Sequence, residues 1–158
     1  MCVALGLFAS LVAFDNVADY GLNYESVRHV LSMDTTLPGN AAMYRAVTNP
    51  ALWQAAYDLI IAGEAVTGLL FIAAAVALWR ARRAPSRHFQ AAKNWANAAG
   101  TAGFLVWFFG FMVIGGEWFA MWQSARWNGQ EGAFRFYMTI LAVLIVVNQP
   151  DPELSDPA

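Results

Sequence analysis

Cysteine and histidine are nearly absent from this 158-residue chain, which has one of the first and two of the second. A single cysteine, Cys2, excludes an internal disulfide and any cysteine cluster for zinc or iron–sulfur. Charge is scarce as well: Asp, Glu, Lys and Arg make up 13% of the residues, whereas hydrophobic residues reach 59%. Soluble domains carry about 25% charged and about 45–50% apolar residues, so the balance points to a membrane and a lipid-bilayer environment. The net charge of −2 and the lack of a basic stripe with interleaved aromatics exclude a nucleic-acid partner. There is no nucleophile motif and no Ser-His-Asp set, and the glycines sit in apolar helical context rather than in a phosphate-cradling loop. The expectation is therefore a protein that is not an enzyme and has no cofactor and no metal.

What the chain does have is four apolar stretches. Helices are expected over about 2–20, 50–82, 87–124 and 130–147, forming one four-span domain over 1–147. This predicts an all-α fold, a four-helix transmembrane bundle. The first helix should end near Tyr20-Gly21 with glycine as C-cap. In the connection that follows, Tyr24, Val27, Val30 and Leu31 recur at helical spacing and predict a short interfacial helix. Asn49-Pro50 reads as an N-cap followed by proline at the first helical position. Asn128-Gly129 marks the last turn, and residues 148–158, with three prolines and three acids, predict an exposed tail. Met1 to Phe14 also resembles a signal-peptide core, but it lacks a basic leader and a cleavage site, and it reads better as a first span with a clipped start.

Five of the nine basic residues (Arg80, Arg82, Arg83, Arg87, Lys93) lie between the second and third spans. The positive-inside rule puts that loop, and with four spans both termini, in the cytoplasm. Tryptophans agree: Trp79 and Trp95 mark one interface, and Trp53, Trp118, Trp122 and Trp127 the other. This topology places His29 and His88 on opposite sides of the membrane, so they cannot ligate one haem or metal together.

Ionisable groups inside spans are costly and mark functional candidates. Asp15, Glu64, Glu117 and Arg135 form the candidate intramembrane polar cluster. At ~1.5 Å per residue, Glu64 comes out roughly 22 Å above Trp79, and Arg135 about 20 Å above Asn148. Glu64 is expected either to stand protonated and neutral or to pair with Arg135, which similar depth makes its first partner, although Glu131 stands four residues before Arg135 and is a rival partner for it. Asp58 and Glu117 come out near the outer boundary. Gly100, Gly103 and Gly110 fall on one helical face and predict close helix packing.

The run Leu31-Ser32-Met33-Asp34-Thr35-Thr36 with Pro38-Gly39-Asn40, the segment GFMVIGGEWFAMWQS (Gly110 to Ser124) and the segment WNGQEGAFRF (Trp127 to Phe136) resemble a bacterial family of predicted small integral membrane proteins, domain of unknown function family 2165. The resemblance runs from about Leu7 to Leu154. It implies a four-span inner-membrane protein and transfers no activity. Two functions follow as expectations. One is an accessory or interaction subunit, whose partner is another membrane protein or a second copy of the chain. The other is a small proton or cation pathway built on Glu64 with Arg135 and the outer acids.

Overall fold

The computed structural model describes residues 1–151, and among them every regular element is helical. Three helical stretches are long and apolar enough to cross a bilayer: Pro50–Ala81, Ser86–Trp118 and Gln130–Val147. A fourth passes only as a pair, α1 (Cys2–Ala18) with α2 (Tyr20–Ser32), which meet at 92°.

The sharp bend lies at Asp19, which leaves helical geometry at φ −118° and ψ 57°. The chain thus breaks before Gly21, which is helical within α2 rather than the C-cap expected from the sequence. The Tyr20 hydroxyl donates to Asp58 (2.7 Å) and the Tyr20 ring stands edge-on to Tyr57 at 4.7 Å, so α2 is turned onto the neighbouring helix as soon as it starts. It ends at Met33 in left-handed geometry, φ 54°. That side chain anchors a small apolar cluster with Phe119 and Ala120, which pins α2 to the far connection.

Helix α3 (Pro50–Ala81) starts as its sequence prescribes: the Asn49 side chain accepts from the Ala51 N–H at 2.9 Å, and Pro50 takes the first turn. It lies along both α1 and α4 (Ser86–Phe104). Cys2, Leu5, Ala9 and Ala13 recur every three or four residues and form the buried stripe of α1. Where this stripe meets α3, Gly6 and Gly68 bring the backbones together: a Cβ built on Gly68 would lie 2.8 Å from the Ser10 nitrogen and 3.1 Å from the Gly6 carbonyl oxygen. Apolar burial gains little inside lipid, so close approach of this kind, with its van der Waals contact, is what holds such helices together. Phe71, Ala74, Ala96 and Ala99 are fully buried beside Trp107 and Ile140 and form the tight end of the core.

The third span departs from the expected continuous helix. After Phe104 the backbone widens into a π-helix, Leu105–Trp118, with Gly110, Gly115 and Gly116 in it. It stops at Phe119, and Ala120 (φ 52°) turns the chain into a single 3-10 turn, Met121–Gln123. Helix α5 (Gln130–Val147) then returns. The expected tail begins as a clasp rather than a free end: Lys93 Nζ, buried on α4, donates to the Gln149 carbonyl (2.7 Å) and to Asp151 (2.5 Å). The remainder of that tail, 152–158, lies outside the described residues.

Candidate functional site

Glu64 is 2% exposed, the most deeply buried acid among the described residues. Its partner comes from α1 and is not a cation. Asn16 Nδ2 donates to Glu64 Oε2 at 2.7 Å. The Asn16 side-chain oxygen in turn accepts from Asn23 Nδ2 at 2.8 Å, and the Tyr57 hydroxyl donates to the Asn16 backbone carbonyl at 2.9 Å. One amide therefore ties α1, α2 and α3 together at a single point, just before the Asp19 break. A side-chain hydrogen bond of this kind contributes about 0.5–1.5 kcal/mol net, and more when its acceptor is ionised.

The expected Glu64–Arg135 pair is not formed. Arg135 is 70% exposed on α5 and reaches Glu131, four residues earlier on the same helix. Depth alone made it a candidate, but facing decides otherwise, since Ala133, Tyr137 and Ile140 supply the buried side of α5. Asp15 and Glu117 are exposed, so the four ionisable candidates do not form one cluster. Of the three packing glycines, Gly100 sits against Leu144, and Gly103 against Ile140, Thr67 and Trp107. Gly110 meets only its own helix, at the Leu105 carbonyl, and lines a cavity instead.

That cavity has a volume of about 570 Å³ and lies between α2, α3, the π segment and the connection before α5. Asn16, Asn23, Ser26, Tyr57 and Glu64 give it a polar patch. Val27, Val30, Ile60, Phe111 and Ile114 give it apolar walls. Arg126, exposed and stacked over Trp127 at 5.0 Å, stands at the mouth. Trp127 also stacks on His29 of α2 at 4.7 Å, and His29 Nδ1 lies 2.7 Å from Asp34 Oδ1. The widened backbone of the π segment turns Gly110 and Gly115 toward this space, in keeping with the frequent association of π geometry with functional sites. On the other side of Glu64 the core closes: Thr67, Phe71 and Ala74 are fully buried, and the Thr67 hydroxyl turns back to the Gly63 carbonyl at 2.7 Å.

Asn16 and Asn23 are the candidate-site residues that a charge-based reading of the sequence passes over. A signal was present, because Asn16 continues the stripe Cys2, Leu5, Ala9, Ala13 at helical spacing, whereas Asp15 falls off it.

Residues 1–150 match the family model described as Predicted small integral membrane protein (DUF2165). The chain belongs to this family. Neither curated proteins nor solved structures supply a match. For this DUF2165 member, the chemistry must therefore be read from the cavity and its polar patch. Among the described residues no group of three or more His, Cys, Asp or Glu side chains is placed to hold a metal ion.

Proposed function

We propose that the chain is a non-catalytic four-span protein of the bacterial inner membrane, with both termini cytoplasmic, that serves as an accessory subunit of a larger membrane assembly. In that role it holds an amphiphilic molecule in the cavity between α2, α3 and the π segment. The observation that carries this reading is a cavity walled by α2, α3 and the π segment whose polar patch reaches Glu64, below which the fully buried Thr67, Phe71 and Ala74 form a closed floor. Its volume of about 570 Å³ falls within the ~300–1,000 Å³ typical of sites for drug-sized molecules. Its lining, apolar walls with a few convergent polar groups, has the composition of a binding site.

The same floor counts against the proton or cation pathway through Glu64. A relay needs polar groups or water on both sides of the carboxyl. Beyond Glu64 the next hydroxyl, Thr67, is committed to its own helix. Arg135, the other member of that pathway, faces away.

The test is extraction of the chain in native lipid discs, followed by native mass spectrometry and identification of co-purifying proteins. The expected result is one small amphiphile retained per chain and a membrane-protein partner. Ile60→Trp, which fills the cavity, should release the amphiphile. Chains that are always empty and always alone would overturn the proposal.

A further inference from the structure

The cavity joins an apolar body to an acid that has no countercharge. Glu64 is almost wholly buried, and no ion pair among the described residues includes it. Its Oε2 accepts from Asn16, while no side chain among the described residues donates to Oε1. Asn23 lines the same space; its amide nitrogen donates to Asn16, and among the described residues no donor reaches its amide oxygen. Ser26 adds a hydroxyl one turn along α2. The polar patch is thus rich in acceptors and carries the negative end of the cavity, while the one cation of the lining, Arg126, stands out at the mouth. A buried charge is tolerated when it is paired and hydrogen-bonded. Inside this cavity a cationic guest would supply that pairing and hold the carboxyl ionised, where burial without a countercharge favours its neutral form.

We infer that the occupant is a lipophilic amine, bound as its ammonium ion with N–H groups on Glu64 Oε1 and the Asn23 and Ser26 oxygens, and with its apolar body among Val30, Ile60 and Ile114. The inference rests on the cavity-binding reading above and specifies its ligand class. Size excludes a bare ion as the natural occupant, because the cavity of about 570 Å³ dwarfs the ~30 Å³ share of one liquid water. Depth excludes an aminophospholipid headgroup. Glu64 is the fifteenth residue of α3, about 21 Å along the helix from Pro50 and near its midpoint. A headgroup amine placed there would carry its phosphate into the apolar core beside a carboxylate.

The experiment uses the full chain in phosphatidylcholine discs at neutral pH, with three probes of one tail length: dodecylamine, dodecyltrimethylammonium and dodecanol. Binding is read by native mass spectrometry, with competition between probes. Dodecylamine should bind one per chain, about tenfold or more tighter than either other probe. Glu64→Gln should remove that preference and leave dodecanol binding within about twofold, which also shows that the variant is folded. Adding phosphatidylethanolamine to the discs should not displace the amine. Equal binding of all three probes would overturn the ammonium while leaving the cavity-binding reading intact. Dodecyltrimethylammonium as tight as dodecylamine would overturn the N–H contacts. Displacement by phosphatidylethanolamine would overturn the free amine in favour of a lipid headgroup. Failure of every probe, unchanged by Ile60→Trp, would overturn both readings.

Discussion

Asn16 concentrates more of the structure than any charged residue does. Replacing it with Leu removes the donor to Glu64 and the acceptor for Asn23 together, leaving a buried acid without a partner. Breaking such a contact costs about 1–3 kcal/mol, and more for a charged group. Asn16→Leu should therefore lower the thermal midpoint in detergent clearly, and Glu64→Gln, which keeps an acceptor for Asn16, should not. Two glycines give a sharper contrast. At Gly68 an added Cβ meets the Ser10 nitrogen and the Gly6 carbonyl oxygen, so α1 itself must move. At Gly100 its nearest contacts are Cδ1, Cγ and Cδ2 of Leu144, a side chain that can rotate where backbone cannot. Gly68→Ala is expected to cost about 1–3 kcal/mol in chemical or thermal unfolding, and Gly100→Ala much less. Glu64 was legible in the sequence because depth in an apolar run is a matter of counting. Asn16 was not, because an amide in an apolar helix looks weak beside the acids that flank it, and only the buried stripe picks it out.

Among the elements, α2 is the one whose placement decides whether the cavity exists. The His29–Trp127 stack holds it to the connection before α5, and the loop that follows it is held there too, by the Thr35 hydroxyl donating to Ser124 Oγ (2.9 Å) and the Leu37 N–H donating to Gln123 Oε1 (3.1 Å). Cysteines at Thr35 and Ser124 should accordingly cross-link under mild oxidation, giving a compact species on a non-reducing gel; absence of the link would mean that α2 lies elsewhere. The start of α3 was readable because Asn49-Pro50 is a local signal that works through one side chain and one ring. The π segment was not. Its glycines fit a packing face just as well when counted at α-helical spacing, and the widened backbone alone sends Gly110 to the cavity while leaving Gly100 and Gly103 in the interface.

On the scale of the whole molecule, the basic loop and the cavity mouth lie at opposite ends of α3: Arg82 and Arg83 follow its last residue, and α2 crosses near its first half. With the basic loop cytoplasmic, a cysteine at exposed Leu37 should react with an impermeant maleimide in intact cells, and one at Arg83 only after permeabilisation; the reverse pattern would invert the proposed orientation. Three of the four expected spans were legible because bilayer thickness sets a length that composition must meet, whereas the first passes only as the bent pair α1–α2. The right-angle turn after α1 was not, since it depends on Tyr20 finding Asp58 and Tyr57 nearly forty residues away. The Lys93 clasp alters the electrostatic account of the basic end. Asp151 neutralises that ammonium, so the field reaching the adjacent leaflet comes from Arg80, Arg82, Arg83 and Arg87. With the basic loop at an anionic cytoplasmic surface, as proposed, about 1 kcal/mol per basic residue would give these four an attraction of about 4 kcal/mol. In the proposed orientation, anionic lipid would then act as a ballast at one end of the bundle, remote from the end where the proposed guest enters.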